Sequence, residues 1–258
     1  MEKSFTLKRG ELTIPCILTQ PEDEEVCRVV LSVHGLGGST GDAIQYAIAQ
    51  EMELFSSAVL RFDFPGHGRN PMSDEQFSLA SCMDTLLAAA QYAKEQFPQV
   101  EDLCIFATGF GAYVTLNAMQ DLLELPGSIR LVVQTPSVLM HQTLLSMMGI
   151  SRETFWAMDR YTFRSPRPIT VSYGLYEELQ ENIALASYPI PFLILHGEED
   201  SYIPMSDIQH LRRLNEKSSL VIIPGTTHRF QEEGAWDMVL DLTRDWFEFQ
   251  QVLVTDSI

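Results

Sequence analysis

The chain has 258 residues, 45% hydrophobic and 20% charged, with 35 acidic against 17 basic side chains and a formal net charge of −18. The length and composition fit one globular domain, and the acidity argues against nucleic acid or an anionic membrane as partner, because both call for a basic surface. No apolar run is long enough to span a bilayer, MEKSFTLKRGELTIP lacks the apolar centre of a signal peptide, and four cysteines without CxxC spacing suggest buried free thiols in a reducing, cytoplasmic setting.

Two alternating runs, SFTLKRG and ELTIPCILTQ, predict a β-hairpin. VCRVVLSVHGLGG is an apolar β-branched strand that ends in glycines, followed by a helical period in GDAIQYAIAQEMELF. SAVLRFDFPGHGRN is a second buried strand running into a Gly/Pro loop, and SLASCMDTLLAAAQYAKEQF is a strong helix ended near Pro98. DLCIFATGFG gives a strand and a tight turn, AYVTLNAMQDLLEL a helix, and SIRLVVQTP a strand. After an irregular stretch come the strand PFLILHGEED, the helix MSDIQHLRRLNE, the strand SSLVIIPGTTH and the last helix, GAWDMVLDLTRDWFEFQQVL.

Strands alternating with helices predict an α/β fold with a mostly parallel eight-stranded sheet and helices on both faces. In such sheets ligands gather at the carboxyl ends of the strands, here after Val33, Phe64, Thr108, Thr135, His196 and Pro224. The rhythm breaks at 137–188, which is rich in Met and aromatic residues around a short β-like ITVSY. The expected division is a core of 1–136 and 189–258 with 137–188 as a small lid insertion. Met140, Trp156 and Tyr173 are candidates to line a substrate pocket there or to form the insertion's own small core.

Acyl transfer needs a nucleophile, a base, an acid to orient the base, and donors for the oxyanion. HGLGG offers glycine backbone, with Gly35 close to a ligand and the Leu36 N–H as one oxyanion donor, although a tight turn would look the same. ATGFGA has small residues, Ala107 and Gly111, two positions either side of Gly109, and Phe110 N–H would open the next helix as the second donor. Asp200 in HGEED is the candidate acid and His228 in PGTTH the candidate base, each at a strand end. Asp63 and His67 read as loop support, and His141 and His210 as surface residues.

HGLGG, RFDFPGHGRN, ATGFGA, HGEEDSYIP and PGTTH together resemble the α/β-hydrolase family, in its lidded serine esterase and lipase-like branch, over essentially the whole chain. The position of the insertion is also similar to that of bacterial feruloyl and cinnamoyl esterases. The resemblance implies the order nucleophile, acid, base, met here by Gly109, Asp200 and His228, and a small-molecule ester or carboxylate as ligand. No metal or organic cofactor is implied, since the chain has no GxGxxG after a strand, no HExxH and no Cys/His cluster. The family pattern GxSxG departs at two places. Ala107 is a small residue like the glycine it replaces, but Gly109 has no side-chain oxygen, so no acyl-enzyme can form on it. Three accounts stay open: an inactivated variant of a serine esterase, a non-catalytic binding or regulatory relative, or an enzyme that directs a water with its histidine and acid.

Overall fold

In a computed structural model, which describes residues 1–22, 24–72, 76–164 and 168–251, the opening hairpin pairs β1 (Glu2–Arg9) with β2 (Leu12–Thr19) at one edge of the sheet. The antiparallel β2 joins β4 (Ser57–Phe62), and from there every pairing is parallel: β4 with β3 (Arg28–Val33), then β5 (Asp102–Thr108) and β6 (Ser128–Gln134). Between β6 and the next strand of the main sheet, β7 (Arg160–Phe163) and β8 (Ile169–Ser172) form a separate antiparallel pair. The main sheet ends with β9 (Phe192–Gly197) and β10 (Ser219–Ile223), giving the order β1-β2-β4-β3-β5-β6-β9-β10. This is the expected eight-stranded, mostly parallel sheet.

Because side chains alternate across a strand, the central strands feed two cores. Leu31, Ile105 and Val133 face one side, with α2 (Leu79–Gln96), α3 (Gly109–Asn117) and α8 (Met205–Leu214). Val30, Phe106 and Val132 face the other, covered by α1 (Ala43–Glu53) and α9 (Ala235–Phe249). Double-sided burial explains why these strands read as unbroken apolar runs. The last helix ends at Phe249, and residues 252 and 253 of its expected span lie outside the described residues.

The predicted helix after the ATGFGA turn is broken. α3 stops at Asn117 and a single turn, α4 (Met119–Leu122), follows Ala118. Thr115 Oγ1 donates to the Gly111 carbonyl at 2.8 Å and Asn117 Nδ2 to that of Tyr113 at 2.9 Å. Such returns to the i−4 carbonyl bend and end helices.

The stretch 137–188 folds as α5 (Met140–Met148), α6 (Arg152–Met158), β7, β8 and α7 (Tyr173–Glu181), with 165–167 outside the described residues. Its apolar side chains are continuous with the main core: Met140, Leu144, Phe155, Tyr176 and Leu179 are all buried there. α7 is fastened to the sheet's helices. The Glu178 carboxylate accepts the Leu79 N–H at 2.9 Å and the Ala80 N–H at 3.1 Å, at the open end of α2. Tyr113 OH donates to the Asn182 carbonyl, and Ala184 N–H to that of Val138 at 2.9 Å. A carboxylate on orphan N–H groups at a helix start stabilises by charge and by hydrogen bond. Glu178→Ala is therefore expected to cost about 1 kcal/mol and lower the melting temperature by about 2–4 °C, readable in a thermal melt. An unchanged melt would mean that this contact does not hold the segment down.

Candidate functional site

The parallel order β3-β5-β6-β9-β10 brings four loops to one carboxyl edge of the sheet. They carry Leu36 after β3, Gly109 after β5, Asp200 after β9 and His228 after β10. The sequence places these residues far apart, and the shared strand direction gathers them.

Gly109 opens α3 with φ +48°. A side chain with a Cβ is strained in that region, which glycine enters freely. A Cβ built there meets no atom within 4 Å, so the turn has room for a side chain. Gly111, two residues on, has none: a Cβ would overlap the His34 carbonyl oxygen and come within 2.9 Å of that of Val33. The first turn of α3 is thus pressed against the end of β3. α3 takes no side-chain cap at its start, and Phe110, buried at 2% exposure, supplies one of its first N–H groups.

The glycine loop after β3 is held from below. His34 is buried; its Nε2 accepts the Phe64 N–H at 3.1 Å and its Nδ1 donates to the Gly35 carbonyl at 2.8 Å. Asp63, fully buried, accepts Thr40 N–H at 2.7 Å and Arg69 N–H at 2.8 Å, which supports both loops as expected. His67 is buried among Phe64, Phe77 and Phe110, and burial pushes it down to about 3. It is therefore a neutral loop residue whose Nδ1 donates to the Pro65 carbonyl at 2.8 Å. A cleft of about 280 Å³ lies beside this loop between Gly37, Gly38, Gly66, His67 and Ile169. A second hollow, about 360 Å³ at Phe230, Gly234 and Trp236, includes none of the four predicted chemical groups.

Asp200 and His228 meet. Asp200 Oδ2 lies 2.8 Å from His228 Nδ1, with the acid's side chain fully buried and the imidazole 20% exposed. The other carboxylate oxygen accepts the N–H groups of Tyr202 at 2.9 Å and Ile203 at 3.0 Å. The two loops are joined by backbone, with Glu198 N–H on the Ile223 carbonyl and Glu199 N–H on that of Thr226. Tyr202 stands edge-on to His228, ring centres 5.2 Å apart. Burial pushes the Asp200 carboxyl up, but the His228 hydrogen bond and charge and the two backbone N–H groups outweigh it and hold the acid below its ordinary 3.8. The sign of the pH effect follows. A carboxyl depressed in the folded chain binds fewer protons there than in the unfolded chain, so its stabilisation is complete above the unfolded value near 4 and is lost as pH falls through the folded one. Urea midpoints between about pH 3 and 6 are expected to fall more steeply for this chain than for Asp200→Asn; parallel curves would remove Asp200 from the acid response.

The remaining expected site residues divide. Gly35 follows the end of β3, half-buried, beside the Thr108 carbonyl, and does not line the cleft. Met140 and Tyr173 are buried in the continuous core, and the Tyr173 hydroxyl accepts from Arg152 Nε at 2.9 Å. Trp156 is not part of the buried core of 137–188: α6 turns its side chain outward, 69% exposed, and Phe155 takes the inward position. His141 is half-buried against Tyr176 rather than on the surface, because α5 packs on α7, whereas His210 is exposed. Cys27 is exposed, against expectation, and Cys16, Cys82 and Cys104 are buried; all four are free. His196 and Tyr202 were missed. The signal for His196 was its i, i+4 spacing to Asp200 across the HGEED turn.

This fold, with its glycine turn and acid–base pair at one sheet edge, is that of an α/β hydrolase. The chain belongs to the alpha/beta hydrolase family, whose sequence model matches residues 30–242. No curated protein matches the chain significantly. Among solved structures it is similar to Est1E from Butyrivibrio proteoclasticus with ferulic acid bound (19% identity, TM-score 0.77, 95% of this chain and 98% of that one). It is also similar to mouse alpha/beta hydrolase domain-containing protein 10 (14%, 0.76, 96% and 100%) and to an α/β serine hydrolase without lid from Xanthomonas campestris (19%, 0.60, 96% and 92%). At these identities the likeness shows the fold. No helix among the described residues is long and apolar enough to cross a membrane.

Proposed function

We propose that this chain is a serine-hydrolase scaffold for carboxylic ester hydrolysis whose nucleophile position is held by glycine, so that it binds small esters or carboxylates and turns them over slowly or not at all. The observation that carries the reading is Gly109 itself, at φ +48° with open space where a side chain would stand. Gly10, Gly149, Gly225 and Gly234 share both features; Gly109 differs in standing at the turn from β5 into α3, on the sheet edge that also carries His228, which would activate a serine there and is itself oriented by Asp200 at 2.8 Å. The Leu36 and Phe110 N–H groups are the proposed oxyanion donors. The segment 137–188 acts as a lid over the 1–136 and 189–258 core, and the ligand is a small molecule. Est1E, which binds ferulic acid, suggests aromatic-acid esters as first test substrates. The second reading, a non-catalytic ligand-binding relative, is favoured by the missing hydroxyl alone. A fluorophosphonate probe separates the two. It is expected to label Gly109→Ser and leave this chain unlabelled; a folded serine form that also fails to label supports the binding reading.

A further inference from the structure

A second imidazole lies against the candidate acid. His196 closes β9 four residues before Asp200, with its side chain 1% exposed. Its Nδ1 lies 4.0 Å from Asp200 Oδ2, the same oxygen that takes His228 Nδ1 at 2.8 Å. Among the described residues this nitrogen has no hydrogen-bond partner. A buried polar atom left unpaired is costly and calls for a reason.

The gap of 4.0 Å is too long for a hydrogen bond, so His196 acts on the carboxylate across it by charge and dipole. Burial and the neighbouring His228 keep the ring neutral, against the pull of Asp200 and of the Ile203 carbonyl. A neutral imidazole has one donor and one acceptor nitrogen. With the proton on Nε2, a lone pair would face the carboxylate, and the two acceptors would repel. With the proton on Nδ1, His196 points a donor at Asp200. The carboxylate therefore selects the Nδ1–H form.

We propose that His196 is a positioning residue that shares Asp200 with His228, the two imidazoles addressing one carboxylate oxygen. An Nδ1–H dipole of His196 aimed at that oxygen offsets part of its charge and so weakens the bond it accepts from His228. His196 thereby loosens Asp200's hold on His228, and the His228 ring can turn between acid and ligand. The role rests on reading His228 as the base, but its test does not depend on ester turnover.

Proton NMR of the low-field His228 Nδ1–H reads the bond directly in this chain, with Asp200→Asn identifying the resonance by its loss. His196→Asn places an amide N–H near the position of Nδ1, and His196→Leu removes the donor. In the leucine variant the resonance is expected to move further downfield and its exchange with solvent to slow about tenfold, a fraction of one charge-assisted hydrogen bond. The asparagine variant is expected to match the original chain. His196→Phe reads the same loss should leucine leave the chain unfolded. An unmoved resonance in the donor-lacking variant, or an equal shift in the asparagine variant, overturns the proposal. Failure of Gly109→Ser to hydrolyse esters would leave this result standing, so the two readings fail separately.

Discussion

Gly109→Ser is expected to raise ester hydrolysis by on the order of 10³-fold or more, measured on p-nitrophenyl esters of short-chain and aromatic acids. In a complete triad, loss of the nucleophile alone costs about 10⁶ in kcat. Restoring it to a scaffold that keeps base, acid and donors should recover a substantial part of that factor. The elbow has the room, since no atom lies within 4 Å of the position of the added Cβ. The backbone conformation carries the penalty. A non-glycine residue at φ +48° costs on the order of 1–3 kcal/mol. Two effects oppose it: the serine form loses less chain entropy on folding, about 0.4–1 kcal/mol, and a hydrogen bond from serine to His228 contributes about 1 kcal/mol. The serine form is therefore expected to melt slightly lower while gaining activity, and His228→Ala in that background should return it to the level of the glycine form. A serine form that is folded, keeps the Asp200–His228 contact and still hydrolyses nothing would sink the esterase reading in favour of the binding module. Robust turnover by the glycine chain itself, lost on His228→Ala, would instead point to a directed water.

Gly111→Ala is expected to destabilise the fold by about 1–3 kcal/mol, the usual cost of overpacking, and to lower the melting temperature by several degrees. Helix propensity alone predicts the opposite, since alanine inside a helix is favoured over glycine by about 1 kcal/mol. Sterics decide the sign. The added Cβ would collide with the carbonyl oxygens of His34 and Val33, main-chain atoms at the end of β3 that cannot rotate aside. Relief requires α3 to draw back from the loop that carries Gly35 and Leu36, and in the serine background the reopened gap should also reduce turnover. A thermal melt of the single variant settles it, and a stabilised alanine form would show that this close approach is absent.

Several features of the candidate site are legible in the sequence itself. The β-branched strands, the small residues two places either side of Gly109, and an acid and a histidine each at a strand end are local signals. Each depends on what one or two turns of backbone will accept, as with Ala107 and Gly111 around a tight strand-to-helix turn. Parallel strands then bring those ends to a common edge, so Gly109, Asp200 and His228 could be expected on it together, while their order as nucleophile position, acid and base is what the family resemblance implies. The stretch 137–188 was less legible. Its apolar residues had no single period, and the packing of α6 against α7 decided which were buried: Phe155 inward onto Tyr173 and Tyr176, and Trp156 outward, one position apart. The Glu178 cap on α2 spans 99 residues and leaves no mark in either segment. The break at Ala118 came from side chains that returned to their own helix. The sequence by itself determined the strand order in the chain, the elbow and the residues at the strand ends, because these follow from backbone sterics and burial on both faces. Only the tertiary structure decided that Asp200 faces two imidazoles and that Gly111 is pressed onto β3, because a contact between distant segments depends on how their surfaces meet and is encoded in neither alone.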